Sequence, residues 1–474
     1  MSATIHTDLC IIGAGSGGLS VAAGAIQMGA SVVLLERHRM GGDCLNTGCI
    51  PSKALIAAAH AAQCIRTANR FGIQTQQPEV TMDRVHAHVH DIIGQIEPHD
   101  SVARFEKLGC RVIQQSGRFD SPNEVVTDTH RIRAKRFVIA TGSQPAIPPI
   151  PGLQDLPYFT NETIFDRKEH IPRLLVIGGG PIGLELAQAF QRLGTQVTIL
   201  VRSTLMPKDD AELTQVVQRC LESEGITIHS GIRFIRAEHD PTGVAVEIDK
   251  GSSRIRVEGT HLLIATGRKP NCDALNLDAA GINHTSKGIP VDARLRTNRK
   301  HIFAIGDVAG PYLFTHMAGY QAGIVIRNAL FRLPAKVNYG AVPWVTYTDP
   351  ELAHVGMTEQ DARQAGKFVQ TLTKPFEEND RARAERETDG LIKVVLGRRG
   401  RILGASIVGP RAGELIQPWI LAINNKMKIG AMATIITPYP TLGEINKGVA
   451  GSFYTPSLFS KRTRKIVRWL MRFS

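Results

Sequence analysis

The chain has 474 residues, more than one hydrophobic core supports, and its length corresponds to about three or four domains. Its composition, 43% hydrophobic and 21% charged, is ordinary for a globular protein, and no apolar run of roughly 18 residues is available to cross a membrane as a helix. Seven cysteines, an odd number scattered along the chain, argue against a secreted disulfide framework, and the net charge of +13 is distributed unevenly. No basic and apolar leader precedes the first strand, so the expectation is a cytoplasmic protein with no nucleic-acid partner.

The first predicted element runs from Asp8 to Ser20, an apolar strand entering Gly13, Gly15 and Gly18 and then an alanine-rich helix. A second strand, Ser31 to Leu35, ends at Glu36. This is a dinucleotide fingerprint in its strand–turn–helix–strand context. The glycines permit a tight turn and close approach to a pyrophosphate at the helix N-terminus, and Glu36 is placed for a ribose hydroxyl. Next comes Gly41-Gly-Asp-Cys-Leu-Asn-Thr-Gly-Cys-Ile-Pro-Ser-Lys53, where Cys44 and Cys49 lie five apart among glycines. Pro51 and the helix-forming stretch from Ala54 to Ala62 predict a helix that places Cys49 at its N-terminus, where a thiolate is favoured. A redox pair explains these residues better than a structural disulfide in a reducing compartment, or a metal site with too few ligands nearby.

Further along, His86, His88 and His90 form a short tract, but in a helix only His86 and His90 share a face, and a solvated face is the default. Cys10, Cys64, Cys110, Cys220 and Cys272 occupy apolar or helical settings and are expected to pack as small hydrophobes. The strand Phe137-Val-Ile-Ala-Thr-Gly142 is matched later by Leu262-Leu-Ile-Ala-Thr-Gly267. Between them the fingerprint repeats, with Gly178, Gly180 and Gly183 following the strand that starts at Arg173. The strand Thr195 to Leu200 then leads to Val201 and Arg202, where the first copy has Glu36 and Arg37. Without the acid, and with Arg202 and Lys208 nearby, the second site favours a 2′-phosphate and hence NADPH over NADH; a plain surface cation is the alternative. The segment His301 to Asp307 delivers an acid at the C-terminal end of a strand, where α/β ligands bind.

Two dinucleotide domains are therefore expected, the second inserted into the first. Beyond about residue 340 strands at Leu391 to Leu396 and Ile402 to Val408, with a helix from Gly413 to Lys426, predict an α+β domain. The final segment, 460–473, holds Lys461, Arg462, Arg464, Lys465, Arg468 and Arg472 interleaved with Ile466, Val467, Trp469, Leu470 and Phe473. As a helix it is basic and amphipathic, suited to an anionic membrane surface or an acidic partner; packing on its own dimer is the bland alternative.

The cysteine signature closely resembles that of the class I pyridine nucleotide-disulfide oxidoreductases, the family of dihydrolipoamide dehydrogenase, glutathione reductase and mercuric reductase. The likeness extends over essentially the whole chain. It implies an α/β fold of two Rossmann-like domains, glutathione reductase-like, plus an α+β C-terminal dimerisation domain. The corresponding boundaries are an FAD-binding domain at 1–150 and 271–340, an NAD(P)H-binding domain at 151–270, and a dimerisation domain with a basic tail at 341–474. The resemblance implies that Cys49 is the flavin-proximal thiolate, Cys44 the interchange thiol, and Lys53 the partner of Glu185. It further implies that Asp307 binds the ribityl chain of FAD. Arg37, Gly42, Lys53, Gly117, Thr141, Gly142, Ser143, Gly267 and Thr315 join the cofactor-binding set. A homodimer with both subunits building each site also follows from the likeness.

One departure concerns the acceptor. Disulfide-reducing members carry His-Pro and then a glutamate near the C-terminus, the histidine serving as acid-base for the thiols. Here the stretch reads Thr437-Pro-Tyr-Pro-Thr-Leu-Gly-Glu444, with Tyr439 in the histidine's place and Glu444 keeping the glutamate's. Tyrosine titrates near about 10 and histidine near about 6.5, so an ordinary Tyr439 is not a base at neutral pH. Tyr439–Pro440 is a candidate cis peptide. Mercuric reductases share the Pro-Tyr and resemble the segment Leu184 to Leu205, yet they end in a vicinal cysteine pair, whereas no cysteine follows Cys272 here. No metal-carrier domain is expected at the N-terminus. The leading expectation is a mercuric reductase-like enzyme passing electrons through FAD and Cys44–Cys49 to a thiol, a disulfide or a soft metal ion. The alternatives are a dihydrolipoamide dehydrogenase without the usual histidine, and a membrane-associated electron-transfer flavoprotein.

Overall fold

The structure is a computed structural model that describes residues 3–251 and 253–473. The chain divides into two compact units, residues 1–202 with 227–337, and residues 203–226 with 338–474.

The first unit is built on two parallel sheets. In the larger sheet the parallel strands are Arg111–Ile113, Val32–Leu35, Ala3–Ile12, His130–Ile139 and Ile302–Ala304. The antiparallel strands Glu124–Val126 and Arg118–Ser121 extend it from His130–Ile139. Leu9, Cys10, Ile11, Phe137, Val138 and Ile139 are all buried, as expected for continuous apolar runs in a sheet covered on both faces. The helices Ser16–Gln27 and Thr315–Ala329 bury small residues against one face, Ala22 and Ala25 from the first and Ala322 and Val325 from the second. Register places Ile12 beside both Leu35 and Ile139, so three strands end together where the glycine turn begins.

The second parallel sheet has the order Thr227–Ser230, Gln196–Val201, Arg173–Ile177 and His261–Ile264. Helix Pro181–Arg192 follows its glycine turn. A short antiparallel ribbon pairs Ser143–Pro145 with Arg268–Pro270, so the residues after the two Ala-Thr-Gly strands lie side by side. The strands starting at Arg173, Gln196 and His261 begin within a residue of the sequence reading, whereas Thr227–Ser230 and the ribbon were not foreseen by it.

In the second unit the antiparallel order is Pro343–Thr346, Glu351–Gly356, Ile402–Gly409, Leu391–Leu396 and Gln370–Pro375. The expected continuous helix from 413 to 426 is instead two, Ala412–Leu415 and Gln417–Asn424. Pro418 stands in the first turn of the second, where its missing N–H and rigid ring are tolerated, whereas mid-helix they would break a ladder bond. Trp419 is fully buried and its Nε1 donates to Asn446 Oδ1 at 2.8 Å. Lys393 is nearly buried, and Asp210 at 3.0 Å, Glu359 at 3.0 Å and Glu212 at 3.4 Å surround its ammonium. That ring of carboxylates supplies what a buried cation needs to stay charged.

Candidate active site

The first glycine turn is shaped by what cannot fit there. Gly13 has φ +104°, and a Cβ on it would stand 2.4 Å from the carbonyl oxygen of Ala140. Gly178 repeats the arrangement at φ +134°, its Cβ falling 2.2 Å from the oxygen of Ala265. Only glycine meets both the left-handed backbone and the close approach. Helix Ser16–Gln27 has Gly15 at its N-cap and no side-chain cap, so its first N–H groups face the turn. Such an end suits a phosphate. Glu36 is buried; its Oε2 accepts from the Ala14 N–H at 2.8 Å and its Oε1 from His38 N–H at 2.8 Å. The carboxylate thus braces the turn from beneath. Arg37, next in line, is exposed.

Gly41 and Gly42 both have positive φ, which folds the cysteine loop back onto Gly15; a Cβ on Gly42 would come within 2.7 Å of the Gly15 Cα. Cys44 lies on the short helix Gly42–Asn46, and Cys49 is the first residue of Cys49–Thr67. Both are free thiols. The Cys44 S–H donates to Cys49 Sγ, and chiefly for that reason the Cys49 thiol is pulled down to about 6. Thr315 Oγ1, 3.4 Å from Cys49 Sγ, and the Lys53 ammonium reinforce the shift. Cys44 moves the opposite way, because ionising it would cost that hydrogen bond and set a second charge beside Cys49 in a partly buried site. One sulfur is therefore thiolate and the other thiol at neutral pH.

Lys53 Nζ sits 2.7 Å from Glu185 Oε2, the carboxylate largely buried and the lysine partly exposed. Asp307 follows strand Ile302–Ala304 and accepts from Ser143 Oγ at 2.5 Å. Burial holds the Asp307 carboxyl above its ordinary value despite that bond. Arg268, absent from the sequence reading, joins this cluster. Its Nε donates to Ser143 Oγ at 2.7 Å, and its guanidinium lies 3.7 Å from Asp307 and 3.4 Å from Asp43. Asn161 also reaches Asp43, at 3.0 Å, and the Thr47 carbonyl, at 3.1 Å. Asp43 precedes Cys44, so this network fixes the thiol loop as well as the acid. Thr141 and Asn271 exchange hydrogen bonds of 2.8 and 3.0 Å beside Gly142. Gly117 packs under Leu35 and Val125.

At the second turn, Gly178 N–H bonds the Leu200 carbonyl just as Gly13 N–H bonds that of Leu35. The position equivalent to Glu36 is thus Val201, a buried apolar side chain, with Arg202 exposed after it. Gly180 caps Pro181–Arg192 without a side-chain acceptor, and Gly183 packs on the Gly178 carbonyl. Gly267, at φ +130°, follows the equivalent strand.

Lys208, Tyr439 and Glu444 belong to the second unit. The Tyr439 hydroxyl donates to Asp380 Oδ2 at 3.2 Å, and that carboxylate pushes the phenol further above its ordinary value. The Tyr439–Pro440 bond is cis, and Glu444 opens helix Glu444–Ser452. His86 and His90 share a helix face with ring centroids 4.1 Å apart, while His88 is exposed. Cys64 corrects the expectation of a packed hydrophobe: it is exposed, 3.3 Å from His60 Nε2. Its helix buries Leu55, Ala59 and Ala62, and position 64 falls off that stripe.

A family model described as pyridine nucleotide-disulphide oxidoreductase matches residues 7–323, and the dimerisation domain of that family matches residues 342–449. The chain belongs to the pyridine nucleotide-disulphide oxidoreductases. A mercuric reductase from Bacillus cereus is 35% identical over 440 residues, covering 92% of this chain and 70% of its own length. A dihydrolipoyl dehydrogenase from Thermus scotoductus is 36% identical over 456 residues, 92% of this chain and 95% of its own. The solved structure of a Cu(II) complex of the HOCl-induced flavoprotein disulfide reductase RclA from Escherichia coli superposes with TM-score 0.84 at 27% identity. It covers 94% of this chain and 99% of that one.

As a member of this family the chain is an FAD-dependent disulfide oxidoreductase that uses a pyridine nucleotide, and its dimerisation domain supports a homodimer. The uncapped helix N-terminus, the cradle that a Cβ at Gly13 would fill, and the acid at Asp307 fit a flavin dinucleotide. Sequence reasoning missed Arg268, Asp43 and Asn161. Arg268 had one available signal, its position directly after Ala-Thr-Gly267 at the crossing point between the nucleotide folds.

Proposed function

We propose that this oxidoreductase uses NADPH to reduce a soft metal ion, Hg(II) being the example, bound by Cys44 and Cys49. The observation that carries the reading is the thiol pair itself, one sulfur ionised beside Thr315 and Lys53 and the other protonated against it. A bound FAD would supply hydride acceptance from the nicotinamide and onward transfer of the electron pair. Gly13, Gly15, Gly18, Glu36 and Gly42 would hold its adenosine diphosphate portion. Gly117, Thr141, Gly142, Ser143, Asp307 and Thr315 would hold the remainder. Gly178, Gly180, Gly183 and Gly267 would seat the nicotinamide cofactor.

The protein's own groups supply the rest. Cys49 is a ready ligand above pH about 6, and Lys53 partly balances its charge. A soft divalent ion bridging both sulfurs displaces the Cys44 proton, because coordination deprotonates a thiol without a separate base. Two electrons convert Hg(II) to the neutral atom, which leaves, and both sulfurs return as ligands. A disulfide acceptor would instead need a proton shuttle. Tyr439, bonded to Asp380 and held above its ordinary pKa, stays protonated at neutral pH and does not serve. The mercuric reductase relatives and the Cu(II) complex of RclA support a metal acceptor.

The preference for NADPH rests on Val201, which offers no carboxylate to a ribose 2′-hydroxyl and no repulsion to a 2′-phosphate, with Arg202 beyond it. Anaerobic reduction followed by absorption, run with NADPH and NADH, should show NADPH reducing faster. Steady-state assays should show Hg(II)-dependent NADPH oxidation that disappears in Cys44→Ser and Cys49→Ser. Faster turnover of lipoamide or glutathione disulfide than of Hg(II) would refute the metal reading. Tyr439→His should raise lipoamide turnover.

A peripheral lipid contact is the second reading, favoured by helix Lys461–Leu470, which buries none of its residues. Its cations gather on one side, and Ile466, Val467 and Leu470 lie on the other, between 46% and 53% exposed. No helix among the described residues is long and apolar enough to cross a membrane. Deleting residues 460–474 should abolish co-sedimentation with phosphatidylglycerol vesicles; unchanged sedimentation would remove this reading.

A further inference from the structure

A cavity of about 340 Å³ in the first unit is lined by Arg136, Arg294, Arg296, Lys300 and Arg332. It is separate from the dinucleotide turn of the same sheet. Gly13 and Asp307 lie beyond the C-terminal ends of strands Ala3–Ile12 and Ile302–Ala304, whereas Lys300 and His301, on the cavity wall, precede the latter strand. Ligand crevices in open α/β sheets occupy the C-terminal edge, so neither that fingerprint nor its acid accounts for these cations.

The charges are poorly compensated within the cavity. Arg296 pairs with Asp292 at 2.6 Å. Among the described residues Arg136 donates only to the Lys135 carbonyl, at 3.1 Å. Among the described residues Arg294, Lys300 and Arg332 make no side-chain hydrogen bond or ion pair, although many arginines elsewhere do, including Arg131, Arg133, Arg236 and Arg256. Guanidinium groups cannot shed their protons to relieve this repulsion. An anion can.

The backbone carries a cost at the same place. Leu295 has φ +65° and Arg332 φ +56°, left-handed conformations that side-chain-bearing residues seldom adopt. Leu295 is fully buried, which leaves Arg294 and Arg296 on the cavity side of a turn closed by Asp292. Asn328 Nδ2 ties the helix end to this turn, donating to the Arg294 carbonyl at 3.4 Å and the Ala335 carbonyl at 2.8 Å. The cations are therefore presented by a braced frame. Phe303 is buried and the His301 ring bonds the Pro122 carbonyl through Nε2 at 2.8 Å, so the feature recognised is mainly the charge of the surrounding cations.

We infer that this cavity binds a small anion carrying two or three linked phosphates. Planar guanidinium forks match phosphate oxygens bidentately, and five cations against one carboxylate suit a multiply charged group better than a single phosphate. The test is calorimetric titration of the FAD-loaded protein with inorganic pyrophosphate and with tripolyphosphate, NADP⁺ being kept saturating so that the other phosphate-binding turn is filled. Orthophosphate at matched ionic strength is the control.

Pyrophosphate should bind at least about tenfold more tightly than orthophosphate, with affinity falling as salt rises. The double variant Arg294→Gln, Arg332→Asn should weaken it by about tenfold or more, Asn being chosen because it tolerates the left-handed backbone. Flavin content and Cys49 alkylation should be unaltered in that variant. Arg332→Lys, which keeps the charge, should lie between the two. Equal binding of pyrophosphate and orthophosphate, or undiminished pyrophosphate binding in the double variant, would overturn the inference.

Discussion

Replacing Cys44 by alanine tests how the thiolate is made. The Cys44 S–H is the largest contributor to the lowered Cys49 pKa, ahead of Thr315 and Lys53. A hydrogen bond to a charged acceptor is worth about 1.5–3 kcal/mol, and each 1.4 kcal/mol is a factor of ten in the ionised fraction. At pH 6, close to the midpoint of native Cys49, Cys44→Ala should therefore slow alkylation of Cys49 by about tenfold or more. Cys44→Ser keeps an O–H donor and should retain most of the native rate. The assay is iodoacetamide labelling of the reduced, FAD-loaded protein from pH 5 to 9, with Cys49 resolved by peptide mass. A Cys64→Ser background removes the exposed thiol at position 64. The sign follows from the direction of the shift: a thiol lowered to about 6 is reactive from that pH upward, well before an ordinary thiol. If Cys44→Ala and Cys44→Ser label alike at the native rate, the helix N-terminus and Lys53 are sufficient and the hydrogen-bond account is wrong.

Two further outcomes follow from local geometry. Gly178→Ala should weaken nicotinamide binding by about tenfold or more while leaving bound flavin in place, whereas Gly13→Ala should lose flavin, since each new Cβ meets a carbonyl at a φ that L-residues avoid; flavin absorbance and nicotinamide titration separate the two. His354 is buried, with Ser406 at 2.7 Å and the Gly356 carbonyl at 3.1 Å, and burial pulls its pKa down to about 4. Its neutral form is favoured by folding, so its contribution is complete above about pH 6.5 and is lost as pH falls towards 4, amounting to about 2 kcal/mol at pH 5. Denaturant unfolding at pH 7 and 5 should show a loss of that size that His354→Gln reduces.

Much of the fold was legible because its signals are local. The turns at Gly13 and Gly178 each need glycine for reasons confined to a few neighbouring residues, and the strands feeding them are short continuous apolar runs. The thiol loop was equally readable, since Cys44, Cys49 and Lys53 lie within ten positions. Arg268 was not. It becomes part of the site only because the ribbon Ser143–Pro145 with Arg268–Pro270 brings together residues 125 apart, which no local pattern announces. The cavity cations escaped notice for the same reason, coming from a strand, a turn and a helix end scattered between Arg136 and Arg332. Cys64 is a different case. Its exposure follows from the helical spacing of Leu55, Ala59 and Ala62, a local signal outweighed by the general tendency of cysteine to be buried.

Tyr439 shows where a chemical argument from residue type meets structure and grows stronger. Its side-chain chemistry alone makes it a poor base at neutral pH, and Asp380, 59 residues away in the chain, removes the remaining route to a lowered pKa. A tyrosinate beside a carboxylate is a like-charge pair, so the phenol keeps its proton. The two classes of acceptor differ in that proton. Thiol–disulfide exchange must take protons from the dithiol and return them to the leaving thiol, and it slows when no group near neutral pH does so. Metal capture releases protons directly to water, and the cation performs the deprotonation. On the proposed function, a dithiol with one ionised sulfur and no titrating histidine at position 439 is better matched to a cation than to a disulfide. Histidine at position 439 would move that balance toward the disulfide without altering either cysteine.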